Sequence, residues 1–470
     1  MGGLFGVIAE KDCVEDLFYG TDYHSHLGTK YGGLAVINHK KIDRHIHDIS
    51  NAQFRSKFQD DIGSMHGKSG IGIISDYEPQ PLTLHSHLGD YAIVTVGVIK
   101  NLDEIVDSAK RRRVQFSEMS SGEINPTELV AALIAEGDSF EEGIENAQVT
   151  IKGSCSMLVL TKDGIYAARD RLGRTPIIIG KKQGSYAAAS ETCSFPNLGY
   201  EIERYLGPGE IALITEEGIE DKKAPEDKMQ ICSFLWVYYG YPSSNYEEIN
   251  VEATRYKCGA ALAKRDKAKI DIVAGIPDSG TAHAIGYANQ AGIPYERPFV
   301  KYTPTWPRSF MPQNQEKRDE VARMKLIPIR ELIQGKSLLF AEDSIVRGTQ
   351  LQDTIARLIK AGAKEVHMRP ACPPLTYGCE YLNFSRSRSV MDLASRKAIR
   401  KLTGKEELTK EELREYSDPA SDKFQAMIDQ IKKILGLNSL RYQRLEDLVV
   451  AIGLPKEKLC THCWDGSSYF

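Results

Sequence analysis

From about residue 245 onward the chain alternates helical and short buried-strand patterns, and this alternation constrains the fold more than any other feature. Residues 251–264 have helical periodicity, 270–276 read as a strand and 282–291 as a helix. A second strand at 337–341, a helix at 349–361 and a third strand at 365–369 follow. Parallel strands need crossovers of a dozen or more residues, usually helical, and this spacing supplies them. A parallel sheet wrapped by helices is predicted, with ligands at the carboxyl ends of its strands.

The preceding residues differ. Short β-like runs at 91–97, 156–161 and 211–215 are separated by turns such as Lys162-Asp163-Gly164 and Pro208-Gly209. Asn125-Pro126 opens a helix running through 128–134. That mixture predicts an α+β domain on antiparallel sheets, and the composition shifts near Glu226. A chain of 470 residues is too long for one ordinary core. Two domains are expected, 1–230 and 231–470, with residues 396–437 charged and mostly helical.

A net charge of -4 gives no global basic field for nucleic acid or an anionic membrane. No apolar run reaches the length of a membrane span, and the first residues lack the blocks of a signal peptide. Gly6 stands where a myristoylation motif favours Ser or Thr. A cytoplasmic protein is expected. In a reducing compartment its nine cysteines read as thiols plus one metal site rather than disulfides.

Two loops carry the chemistry. In 338–349 a buried strand delivers Glu342 and Asp343 to its carboxyl end, and a polar turn (Ser344, Ile345, Val346, Arg347, Gly348) leads to Thr349 at a helix start. Backbone N–H groups there, with the Ser344 and Thr349 hydroxyls, suit a phosphate. Gly348 permits a close backbone approach. Two carboxylates beside a phosphate make sense if they bind ribose hydroxyls, alone or with a metal. The second loop, Pro277, Asp278, Ser279, Gly280 and Thr281, follows the preceding strand. Together the loops resemble the phosphoribosyl pyrophosphate and pyrophosphate motifs of type I phosphoribosyltransferases. With the amino-terminal half, they make the chain similar to the glutamine phosphoribosylpyrophosphate amidotransferase family, where Glu342 replaces the usual Asp.

The resemblance implies an amino-terminal-nucleophile-type sandwich joined to an α/β type I phosphoribosyltransferase domain. It implies that Glu342 and Asp343 hold the ribose hydroxyls with Mg²⁺, that 344–349 hold the 5-phosphate and that 278–281 hold the pyrophosphate. Residues 301–311 resemble the family's flap, so Lys301 and Arg308 would stabilise departing pyrophosphate. Arg318, Arg323 and Lys325 continue the match. Cys460 and Cys463 form a C-x-x-C pair, ambiguous alone between redox, zinc and cluster roles. With Cys232 and Cys379 they match the family's four ligands of a 4Fe–4S cluster, zinc being the alternative. A homo-oligomer is expected.

The amino-terminal half keeps the family's scaffold strings around Arg169-Asp170, Ser190-Glu191-Thr192 and Pro208-Gly209-Glu210. Its chemistry residues depart. The family's terminal Cys aligns with Gly2, its glutamine-binding Arg with Ser75, its oxyanion Asn-Gly with Val96-Gly97 and its substrate Asp with Pro126. The family's His-Arg-Gly-Gln string becomes His26-Leu27-Gly28-Thr29. The resemblance therefore implies a transferase forming 5-phosphoribosylamine for purine biosynthesis without its own glutaminase, using ammonia that is free or comes from a partner glutaminase. The alternatives are a regulatory paralogue that binds phosphoribosyl pyrophosphate or purine nucleotides and joins a true amidotransferase, and transfer to another acceptor.

Overall fold

The computed structural model describes residues 2–38, 41–117, 119–120, 123–302, 326–382 and 389–469. The first part is built on two antiparallel sheets. One orders its strands Glu201–Tyr205, Ile178–Lys182, Ser185–Ala189, Gly3–Ala9, Ser69–Ser75, Tyr31–Asn38 and Lys41–Asp48. The other runs Ile219–Lys223, Ile211–Ile214, Gly164–Ala168, Gly153–Thr161, Gly89–Ile99 and Leu82–Ser86. Period-two alternation sorts their side chains. Ala92, Val94, Leu158 and Leu160 join Leu4, Phe5 and Val7 in the core between the sheets. Tyr91, Ile93, Met157 and Val159 point the other way, onto the helices Pro126–Ile134 and Phe140–Thr150. Gly3–Ala9 is buried along its whole length because the helix Val14–Asp22 packs against it, which explains its unbroken apolar run. Asn125 caps Pro126–Ile134 as the sequence predicts, its side chain accepting from Thr127 N.

The second part carries a parallel four-stranded sheet: Ile272–Gly275, Ser337–Glu342, Glu365–Pro370 and Ser439–Leu440. Leu339 and Ala341 face one side, with Leu262, Tyr287 and Ala288 from the helices Val251–Lys264 and Thr281–Ala291. Leu338 and Phe340 face the other, with Ile355, Leu358, Ile399, Met427 and Ile431. The charged stretch near 396–437 resolves into three helices, Ala394–Thr403, Lys410–Ser417 and Asp422–Leu435. The apolar core is continuous from the sandwich through Trp236 and Tyr246 into the parallel sheet. Ile231–Cys232 pairs in parallel with Leu459–Cys460, so the far end of the chain returns to the junction. Among the described residues no helix is long and apolar enough to cross a membrane.

Candidate functional site

The two sequence-predicted loops leave neighbouring strands side by side. Gly275 pairs with Ala341, and Ile276 N then donates to Ala341 O at 3.1 Å, so both loops start at one level of the sheet edge. Each opens a helix: Thr281–Ala291 and Thr349–Lys360. Ser279 Oγ donates to Glu342 Oε1 at 2.8 Å and ties one loop to the other. A Cβ at Gly280 would run into the Ala341 carbonyl oxygen, so this close approach requires glycine. Gly348 sits at φ +76°, a conformation that glycine adopts without strain. Lys301 Nζ meets Asp278 Oδ2 at 2.6 Å, a solvent-facing pair that contributes little stability. Arg308, Arg318, Arg323 and Lys325 lie outside the described residues.

Both acidic side chains are buried, Glu342 at 9% and Asp343 at 5% exposure. Burial, and then the charge of Asp343, push the Glu342 carboxyl well above the ordinary carboxylate range. Such a pair suits polyol donors or a divalent cation, either of which relieves like-charge crowding. The Ser344 hydroxyl donates to Asp343 Oδ2 at 2.5 Å and so orients that acid in this structure. Two supports were not legible beforehand. Ala394 N donates to Val346 O at 2.7 Å, pinning the loop to the helix Ala394–Thr403. Arg255 is buried beneath the edge and donates to the carbonyls of Trp236, Tyr238 and Gly240. Only tertiary packing brings these groups to the loop.

Cys232, Cys379, Cys460 and Cys463, far apart in sequence, line one small cavity with Arg174, Phe234, Tyr381 and Trp464. Burial, then neighbouring cysteines, push the Cys232 thiol up. For Cys463 the largest cause is a hydrogen bond with Cys379, ahead of burial. Four thiols in an enclosed apolar setting fit iron–sulfur ligation in type and number. The cavity measures about 10 Å³, however, roughly the space one water needs. A cluster would have to replace the Cys379–Cys463 contact. Among the described residues no group of three or more His, Cys, Asp or Glu is arranged to hold a single metal ion. Arg174, wholly buried, stacks 3.8 Å from the Tyr381 ring centre and lowers the Cys460 thiol against the dominant effect of burial.

A second cavity, about 330 Å³, opens in the sandwich where the strands Ser69–Ser75 and Gly89–Ile99 end. Gly97 and Pro126 line it, and so do Asp76, Glu78, Thr95 and Cys155. Two of the positions that the resemblance assigned to glutamine handling are thus brought to one place, with Ser75 next to Asp76. A Cβ at Gly2 would lie 2.6 Å from the Ile74 carbonyl oxygen, leaving no room for a nucleophilic side chain on this backbone. Val96, which the resemblance aligns with an amide donor, is buried and apolar. Burial, then Asp170 and Glu78, raise the Cys155 thiol and hold it protonated. Cys13 lies beyond the opposite end of Gly3–Ala9 and is raised likewise, by burial and then by Asp12 and Asp16.

Beside this sandwich, Glu191 is 1% exposed. His26 Nε2 lies 3.0 Å from its Oε2, Tyr246 O–H donates to Oε1 at 2.5 Å, and Ser244 Oγ donates to Oε2 at 3.2 Å. Burial alone would raise this carboxyl; the charge and hydrogen bond of His26, with help from His24 and Tyr246, bring it to about 2. Arg169, also buried, pairs with Glu247 at 2.8 Å. Both contacts join the sandwich to residues 241–247.

Fold and site define a glutamine amidotransferase-type sandwich joined to a type I phosphoribosyltransferase fold. A family model described as a glutamine amidotransferase domain matches residues 68–197. The chain belongs to the amidophosphoribosyltransferase family: it is 31% identical over 392 residues to the amidophosphoribosyltransferase of Bacillus subtilis, covering 81% of this chain and 80% of that one. The amidophosphoribosyltransferase of Methanocaldococcus jannaschii is 29% identical over 490 residues, covering 99% and 97%. The solved Bacillus subtilis glutamine phosphoribosylpyrophosphate amidotransferase, complexed with ADP and GMP, superposes with a TM-score of 0.85 at 27% identity, covering 99% of this chain and 97% of that one.

Proposed function

We propose that the protein forms 5-phosphoribosylamine from phosphoribosyl pyrophosphate and ammonia, in purine biosynthesis, and that its sandwich does not hydrolyse glutamine. The observation that supports the transfer reaction is the meeting of the two loops at one sheet edge, tied by Ser279 and Glu342. In this reading Glu342 and Asp343 accept from the ribose hydroxyls. Residues 344–349 hold the 5-phosphate through backbone N–H groups and the Thr349 helix start. Asp278, Ser279, Gly280 and Thr281 take the pyrophosphate, and Lys301 and Arg308 balance its charge. The bond from C1 to the pyrophosphate oxygen breaks with its electron pair leaving on oxygen. Ammonia then forms the C1–N bond and loses one proton. Mg²⁺, bound with the substrate beside Asp343 and Glu342, would supply charge neutralisation at the leaving group. The four cysteines would hold a 4Fe–4S cluster of structural role, with zinc the alternative.

The loss of glutamine hydrolysis is supported by the missing side chain at Gly2, the apolar Val96 and the protonated thiol of Cys155. Residues 1–230 would be the silent glutaminase unit and 231–470 the transferase, in a homo-oligomer. The test is pyrophosphate release from phosphoribosyl pyrophosphate and Mg²⁺ by anaerobically purified protein, with glutamine, ammonium or neither. Release with ammonium alone is expected. Release with glutamine overturns the silent-glutaminase reading, and no release from folded protein overturns the transferase reading in favour of a regulatory paralogue or another acceptor.

A further inference from the structure

We propose that Lys397 is a positioning residue for the 5-phosphate: from the outer side of the phosphate loop its ammonium holds the Arg347 carbonyl, so that the loop presents N–H groups to the ligand. This rests on the reading that residues 344–349 take the 5-phosphate.

The loop has two unlike sides. Its acceptors are filled. Val346 O accepts from Ala394 N at 2.7 Å, Arg347 O from Lys397 Nζ at 3.5 Å and Gly348 O from Gln352 N at 3.0 Å. Its donors are open: among the described residues, the N–H groups of Ser344, Ile345, Val346 and Gly348 make no hydrogen bond. None of these peptides is cis, and a planar trans peptide points its N–H opposite to its C=O. With the carbonyls of Val346 and Arg347 fixed on the helix Ala394–Thr403, the N–H groups of Arg347 and Gly348 are turned away from that helix. Open backbone donors backed by occupied acceptors suit a phosphate.

The backing helix is itself firmly held. Leu393, Ala398 and Ile399 are buried. The Ser395 hydroxyl donates to Leu375 O, and Arg396 Nε donates to Thr376 O at 3.0 Å. Ala394 and Lys397 lie one turn apart and reach the loop from one face. They differ in kind. Ala394 contributes a backbone donor that any residue but proline supplies, whereas Lys397 contributes a charge. Residues 394–403 hold Arg396, Lys397, Arg400 and Lys401 and no acid. Arg396 is engaged by the Thr376 carbonyl, and Arg400 lies 3.5 Å from Glu406. Among the described residues Lys397 has no carboxylate partner, its side-chain contact being the Arg347 oxygen. At 3.5 Å this bond is long, and the half-buried ammonium gives the empty loop little hold. A phosphate dianion beyond the same peptide strengthens it, because the peptide dipole then lies between a cation and an anion. The contribution of Lys397 is therefore made when the phosphate is bound.

The test is isothermal titration of the full-length protein with ribose 5-phosphate, phosphoribosyl pyrophosphate with Mg²⁺, and inorganic pyrophosphate with Mg²⁺. Lys397→Met should weaken the two ribosyl ligands about three- to tenfold. Its affinity for pyrophosphate and the melting temperature of the ligand-free protein should stay as in wild type. Lys397→Arg, which keeps a cationic donor, should recover most of the loss. Lys401→Gln, which removes a charge one turn further from the loop, should weaken ribose 5-phosphate less than Lys397→Met does. Unchanged ribose 5-phosphate affinity in Lys397→Met, no recovery with arginine, an equal loss for pyrophosphate, or an equal loss in Lys401→Gln would each overturn the proposal. If the wild-type protein binds neither ribosyl ligand, the assignment of 344–349 to the 5-phosphate falls as well. Failure confined to the variants leaves that assignment standing.

Discussion

At the residue scale, Glu191 shows what single side chains do here. It is an ionised carboxylate with almost no exposure, satisfied by His26, Ser244 and Tyr246. Removing one partner of such a group leaves the others buried and unpaired, so Glu191→Ala should cost ~3–5 kcal/mol, read from urea denaturation. His24 and His283 are wholly buried, and burial is the main reason both lie at about 4, below the free value. A histidine whose folded pKa is lowered contributes stability that is whole above about pH 6.5 and is lost as the pH falls towards the folded value. The melting temperature should therefore drop between about pH 6.5 and 4, and His24→Gln should flatten that drop. If the variant melts with an unchanged pH profile, His24 is not its source. The sequence displayed Glu191 inside a scaffold string but not its partners, because Ser244 and Tyr246 lie some fifty positions away and meet it only through packing. The departures at Gly2, Ser75 and Val96 from the family's strings were legible, since which side chain a position carries is a property of the sequence alone.

At the scale of elements, helices and strands follow from periodicity. Residues 251–264 form the expected helix and 337–342 the expected strand, one position longer, carrying Glu342 into the sheet's last hydrogen-bonded place. Loop 276–280 depends on the strand beside it. Gly280→Ala would press a methyl group into the Ala341 carbonyl and push the two loops apart. We expect it to raise KM for phosphoribosyl pyrophosphate, or abolish release, while far-UV circular dichroism stays close to wild type; steady-state kinetics decide. Ser279→Ala, which removes the bond to Glu342 without adding bulk, should have a milder effect of about tenfold or less in kcat/KM. What periodicity could not show is that the helix Ala394–Thr403 holds the phosphate loop through Ala394 and Val346. That region carries a charged face which reads as solvated, and its inner face is set by a strand and loop fifty residues earlier.

At the scale of the molecule, one apolar core runs from the sandwich into the parallel sheet, so the two parts should unfold together rather than in sequence. The four cysteines sit on that junction. On the proposed cluster ligation, Cys379→Ser should lower bound iron and visible absorbance in anaerobically prepared protein and lower the urea midpoint for the whole chain. Equal metal content in the variant and wild type would remove Cys379 from the ligand set. The parallel pairing of Ile231–Cys232 with Leu459–Cys460 has a further consequence for how the chain is made. Translation delivers the sandwich first, and its strands find partners among themselves. Cys232 then waits, with its neighbours exposed, while the entire parallel sheet is synthesised. Only when Cys460 and Cys463 leave the ribosome can the four-thiol set be assembled. A nascent or prematurely stopped chain thus carries an open junction that a finished one conceals, a difference that chaperones and proteases can read.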